Sequence, residues 1–183
     1  MSSWRAGAKQ RSVWHRTGPT ARLAVGLIAI GLVGLFGLTE KSLFGISAPW
    51  PHAALWGAVG WGAVGLSLRP MFALVLVGFA QDVAFTAPLG VFPLINLGVY
   101  ALSAAVSDTY DIDTDPIMNW LAPLALFAIG FVALWVLASS VADHAVQMAP
   151  LALSFFSTAG VYFAVSGLFR LGRRPGETAG SAV

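Results

Sequence analysis

Long apolar runs alternate with short charged stretches along this chain. Six runs contain no charged residue: Leu23–Thr39, Ser42–Leu68, Pro70–Gln81, Val83–Ser107, Pro116–Ala142 and Ala145–Phe169. A helix needs about 20 apolar residues, with a range of about 17–25, to cross a bilayer. Only Pro70–Gln81 is shorter than this. The pattern therefore predicts a membrane protein with several transmembrane helices.

The segment 70–107 contains one charged residue, Asp82. A single helix of these 38 residues would be roughly 57 Å long, whereas the hydrocarbon core is roughly 30 Å thick. Two prolines and a glycine near its middle also interrupt a helix, because proline removes a backbone donor and glycine loosens the backbone. We therefore predict a hairpin of two helices, residues 70–86 and 92–107.

The expected fold is an all-α polytopic membrane protein. Its six transmembrane helices are predicted at about 23–39, 52–68, 70–86, 92–107, 117–142 and 147–169. They form one membrane domain, residues 23–170, between polar tails at 1–22 and 171–183. The composition agrees, since 10% of the residues are charged and 57% are hydrophobic, whereas soluble domains carry about 25% charged residues.

Basic residues are concentrated at the two ends of the chain. Nine of the ten Lys and Arg residues lie in residues 1–22, at Arg69 or in residues 170–183, and only Lys41 lies in a predicted outer loop. Because basic loops remain in the cytoplasm, both termini are predicted there. The formal net charge is only +2, so no nucleic-acid partner is predicted.

Catalytic motifs are absent from the sequence. The chain has no cysteine and no HExxH, GxSxG, P-loop or dinucleotide motif. An enzyme needs a base, a nucleophile or a metal set within mutual reach, and Asp82 is the one acidic residue predicted deep inside a helix. We therefore predict no enzymatic activity, no catalytic residue, no cofactor and no metal site.

Asp82 lies at a depth where an ionised carboxylate costs about 2.5–3.5 kcal/mol, so it is expected to face the helix bundle. Gly78, one turn earlier, leaves room for a neighbouring helix, and Thr86, one turn later, is a possible donor to the carboxylate. Two interpretations stay open: a structural anchor near the turn, or an ion, proton or substrate contact. An anchor predicts that Asp82→Asn is tolerated.

Small residues recur every four positions at Ala54, Ala58 and Gly62. Such a face lets a second helix approach closely, so it predicts either internal packing or a surface for a partner's transmembrane helix.

Two helices carry polar stripes, which predict either hydrogen bonds between helices or a polar ligand cavity. The stripes are Asn96, Tyr100, Ser103 and Ser107 on one helix, and Ser154, Thr158, Tyr162 and Ser166 on another.

Acidic residues are concentrated in the loop Asp108–Asp115. Its Asp-x-Asp spacing is similar to a calcium loop but lacks the required Gly and Glu. We predict a solvated loop, or one that meets a basic partner surface. Asp143 and His144 are of residue types that can bind a metal, but no third such residue accompanies them. His52 is predicted at the membrane interface.

The sequence around the predicted turn of the hairpin, called the turn motif below, resembles that of the rod shape-determining protein MreD family. The matching residues are Gly78, Asp82, Pro88, Leu89 and Gly90. The resemblance implies a non-enzymatic component of the bacterial cell elongation complex, located in the bacterial inner membrane and needed for rod shape and lateral peptidoglycan synthesis. The implied partners are MreC and, through it, MreB and the elongation glycosyltransferase and transpeptidase.

The MreD family is also similar in fold to the substrate-binding subunits of energy-coupling-factor vitamin transporters. The alternative function is therefore a substrate-binding membrane subunit of such a transporter. The sequence shows no charged set to hold a vitamin.

Overall fold

The computed structural model describes residues 18–37, 42–43, 46–47, 50–110, 116–141 and 148–169. Within these ranges the chain forms six helices and a short hairpin: α1 Pro19–Gly37, β1 Ser42–Leu43, β2 Ile46–Ser47, α2 Ala53–Gly62, α3 Leu68–Ala84, α4 Val91–Thr109, α5 Pro116–Val141 and α6 Met148–Phe169. The two strands pair antiparallel, with Ser42 opposite Ser47. The predicted helical architecture is confirmed.

Four of the described helices, α1, α4, α5 and α6, are long and apolar enough to cross a membrane. This is the pattern of a multi-pass membrane protein. The other two, α2 and α3, contain 10 and 17 residues. The six-span topology therefore stays a prediction.

The short helix α2 is the centre of the bundle. All ten of its residues are buried, and it contacts each of the other five helices. At 1.5 Å per residue it is about 15 Å long, half the thickness of the hydrocarbon core. The helix predicted over 52–68 thus ends at Gly62, and a turn leads to Gly65, whose φ of +109° favours glycine.

Tyr100 of α4 supports the irregular backbone that follows α2. The Ser67 N–H donates to the Tyr100 hydroxyl at 2.7 Å, and that hydroxyl lies 3.2 Å from the carbonyl oxygens of both Gly65 and Ser67. In an apolar environment, irregular backbone is tolerated only where its polar groups find partners. Tyr100 supplies such a partner.

The end of α6 packs against the end of α2. A Cβ atom at Gly60 would lie 2.5 Å from the Cβ of Phe169, so only glycine permits this contact. The Phe169 ring lies 6.1 Å from the ring of Trp56 and, at the same centroid distance, from that of Trp61. These three buried aromatic rings are part of the hydrophobic core.

The first helix begins earlier than predicted. It starts at Pro19 rather than near residue 23, since proline is well suited to the first helical position. Arg22, predicted in the cytoplasmic tail, is therefore part of α1 and is only 5% exposed. The Arg69 Nη1 atom donates to the Thr20 hydroxyl at 3.2 Å. The beginnings of α1 and α3 thus lie together.

Candidate functional site

Asp82 joins the end of α3 to the beginning of α4. Its side chain is fully buried; Oδ2 accepts from the Gly90 N–H at 2.6 Å and Oδ1 accepts from the Phe92 N–H at 3.0 Å. The first N–H groups of a helix have no acceptor within the helix, and negative charge is favourable there. The Asp82 carboxylate therefore supplies acceptors to α4 from a neighbouring helix.

Gly78 sets the distance between the same two helices. A Cβ atom there would lie 2.5 Å from the Pro93 nitrogen and 2.6 Å from its Cα, so any side chain would push α4 away. Gly90 precedes α4 with a φ of +101°, which glycine adopts without strain. The structure thus brings Gly78, Asp82 and Gly90 together around the start of α4.

The remaining residues of the turn motif lie at its tip. Pro88 is exposed and Leu89 is 77% exposed, so neither is part of the core. Thr86 was a possible donor to the Asp82 carboxylate, but its hydroxyl donates instead to the Phe85 carbonyl at 2.7 Å. The backbone N–H of Ala87 instead donates to the carbonyl of Asp82 at 2.9 Å.

The small-residue face of α2 lies inside the bundle. Ala54 is 1% exposed, Ala58 is 0% exposed and Gly62 is buried. A Cβ atom at Gly62 would lie 2.7 Å from the carbonyl oxygen of Tyr100 on α4. Of the two roles considered for this face, the geometry is that of internal packing, because a partner helix cannot reach it in this fold.

The polar stripe of α4 makes hydrogen bonds to neighbouring elements. The Asn96 amide donates to Gln81 Oε1 on α3 at 3.1 Å, and the Ser103 hydroxyl donates to the Val59 carbonyl on α2 at 2.8 Å. Ser107 bonds within α4, donating to the carbonyl of Ser103. The stripe therefore ties α4 to α2 and α3.

Thr158 is the centre of the polar stripe on α6. Its hydroxyl accepts from the backbone N–H of His52 at 3.0 Å and donates to the Ser154 carbonyl. Its backbone carbonyl accepts from the Trp56 indole N–H at 2.9 Å. Tyr162 packs edge-on against Phe127. These contacts hold the beginning of α2 against the middle of α6.

A cavity of about 440 Å³ lies between α1, α3 and the first turn of α2. The sequence did not predict it, because its residues come from separate helices. His52 lines this cavity and a second one of about 10 Å³, and its ring contacts Phe85, Phe92 and Phe131. A histidine expected at the interface thus lies among aromatic side chains within the bundle.

Several sequence predictions fall outside the described residues. Most of the acidic loop, residues 111–115, lies there, as do Asp143 and His144. Asp108 is described and is exposed near the end of α4. In the part of the chain that the structure describes, no three His, Asp or Glu residues are grouped as a metal site would require.

No protein-family model, curated protein or solved structure matches this chain.

Proposed function

We propose that this protein is a non-enzymatic scaffold of the bacterial cell elongation complex, a membrane component similar to MreD. It would cross the inner membrane six times with both termini in the cytoplasm, and it would act with MreC and, through MreC, with MreB and the glycosyltransferase and transpeptidase of lateral wall synthesis. The observation that supports this most is the hairpin, in which Gly78, Asp82 and Gly90 of the MreD-like motif build the junction between two helices.

The motif residues divide into two groups in this hairpin. Gly78, Asp82 and Gly90 build the junction between α3 and α4 through close packing and two hydrogen bonds. Pro88 and Leu89 form the exposed tip. A rigid junction that presents an exposed apolar tip is suited to holding a partner, so we assign Leu89 to the partner contact.

Buried polar groups also support a scaffold rather than an enzyme. Asp82, Asn96, Ser103 and Thr158 are all buried, and each makes hydrogen bonds that join one helix to another or cap a helix. Groups committed to such bonds contribute to the fold.

Recovery of partners from the membrane tests this proposal. The full chain, purified from its own bacterium in mild detergent, should recover MreC and the wall-synthesis pair. Leu89→Ala should lower that recovery, whereas Leu94→Ala should not, because Leu94 is similarly exposed at 63% but lies outside the motif. Equal recovery with both variants would remove Leu89 from the proposal, and recovery of a transporter's energising subunit instead of MreC would contradict the scaffold.

A substrate-binding subunit of an energy-coupling-factor-type transporter is the second candidate. The cavity of about 440 Å³ favours it, since small-molecule sites usually occupy about 300–1,000 Å³. Loss of uptake of one nutrient after depletion, with normal cell shape, would support this function instead.

A further inference from the structure

The cavity exists because α2 is short. It is lined by the second half of α1, from Leu27 to Leu35, by the second half of α3, from Val77 to Ala84, and by Ala53 and Ala54 at the beginning of α2. A helix of about 15 Å fills only half the depth of the bundle. The space on the N-terminal side of its first turn remains open between α1 and α3.

The walls of this cavity are apolar and uncharged. Sixteen described residues line it: thirteen are apolar or glycine, the other three are His52, Gln81 and Ser154, and none is acidic or basic apart from the imidazole of His52. Of the polar groups, the Trp50 indole N–H donates to the Val33 carbonyl, and Gln81 Oε1 accepts from Asn96. Among the described residues, the ring nitrogens of His52 have no hydrogen-bond partner, so this ring and the Gln81 amide nitrogen are available to a ligand.

The mouth of the cavity lies on an apolar surface. Gly31 and Gly34 of α1 and Ala80 and Ala84 of α3 line the cavity and are exposed, and Leu35 beside them is 66% exposed. Among the described residues, and apart from the chain neighbours and the backbone of α1 itself, no atom lies within 4 Å of the Cβ position of either glycine. The helix α1 is long and apolar enough to cross a membrane, and in a bilayer that α1 spans this mouth would face lipid.

We propose that this cavity binds an uncharged, mainly apolar molecule that enters sideways from the bilayer, with a polar end group at His52 and Gln81. Its volume is suited to a small molecule. An ionised group is excluded because an unpaired charge is strongly unfavourable in an apolar site. Two sources could supply a ligand of this chemistry: part of a membrane lipid, or a free apolar molecule. This inference goes beyond the scaffold function and does not depend on it.

Photolabelling of the full chain in phosphatidylcholine nanodiscs tests the proposal. The probe is an uncharged trifluoromethyl phenyldiazirine, and labelled peptides are mapped by mass spectrometry. Labelling near Trp50–Ala54 and Gln81–Phe85 should saturate with probe concentration, whereas labelling at Phe72, which is 62% exposed outside the cavity, should rise in proportion to it. The carboxylate analogue of the probe should not label the cavity.

Gly34→Leu should remove the saturable labelling, because the new side chain occupies the cavity wall without a clash at Cβ. Gly31→Leu provides a second filling variant if the first does not fold. Gly160→Leu is the matched control, since Gly160 is an exposed glycine on α6 with the same open space and no part in the cavity.

Native mass spectrometry separates the two sources of ligand. A phospholipid retained by the wild type and by Gly160→Leu, but not by Gly34→Leu, would identify a lipid occupant. Saturable probe labelling without retained lipid would identify a free apolar molecule. If labelling is never saturable and lipid retention is the same in all variants, the cavity has no ligand and the proposal is wrong. Equal labelling by the charged analogue would overturn the uncharged class.

Discussion

Replacing Asp82 tests how the hairpin is held together. The two carboxylate oxygens accept from two different backbone groups, the N–H of Gly90 and the N–H of Phe92. An asparagine has one acceptor oxygen, so one of these donors loses its partner and faces the amide nitrogen instead. An alanine leaves both donors without this acceptor. The sequence alone led us to expect that Asp82→Asn is tolerated, and the two-acceptor geometry revises that expectation.

The expected loss follows from the number of bonds removed. A hydrogen bond to a charged group contributes about 1.5–3 kcal/mol, so Asp82→Asn should lower the free energy of unfolding by about that amount and Asp82→Ala by about 3–6 kcal/mol. For a chain of this size, 1 kcal/mol shifts the midpoint of thermal unfolding by about 2–4 °C. Asp82→Asn should therefore unfold about 3–12 °C earlier.

Thermal unfolding in a mild detergent, followed by tryptophan fluorescence, measures this shift. Asp108→Asn is the control, since it is the same substitution at an exposed position near the end of α4. It should change stability by less than about 0.5 kcal/mol. An Asp82→Ala variant as stable as the wild type would refute the capping argument. A stable Asp82→Asn protein that fails in the cell would point to a charge-dependent role.

Three further substitutions test other contacts of the bundle. Gly78→Ala should lower the unfolding temperature because its Cβ meets the Pro93 backbone, whereas Gly98→Ala, which has open space, should be neutral or stabilising by about 0.5–1 kcal/mol. Tyr100→Phe should lower the free energy of unfolding by about 1–3 kcal/mol because the Ser67 N–H loses its acceptor, whereas Tyr110→Phe at an exposed position should lower it little. If the two variants melt at the same temperature, Tyr100 does not support this backbone. Ala58→Leu should overpack the core and lower the free energy of unfolding by about 1–3 kcal/mol, so less folded protein should be found in the membrane. Normal abundance with selective loss of MreC would instead support a partner surface at this face.

The lengths of the uncharged runs were enough to predict most of the helices. For α3 to α6, the observed bounds lie within two residues of the predicted ones, because uncharged runs end where charged residues or turn residues begin. The length of α2 was not predictable in the same way. Its apolar run continues to Leu68, but packing on α4 and the positive φ of Gly65 end the helix at Gly62.

The hairpin residues could be selected from the sequence, but their contacts could not. Asp82 was expected to face the bundle, while its acceptance of the Gly90 and Phe92 N–H groups depends on how α4 begins. The cavity was unpredictable for a related reason. It results from the difference in length between α2 and its neighbours, and it has no local sequence signal.

Cell shape after depletion tests the central proposal most directly. The organism that encodes this protein should be depleted of it and complemented with the wild type or with Asp82→Ala, while cell width and the uptake of vitamins are measured. The scaffold account predicts that depleted rods become swollen or round, that vitamin uptake stays normal, and that only the wild type restores rod shape fully. Rods of normal width after depletion, together with loss of uptake of one nutrient, would contradict it.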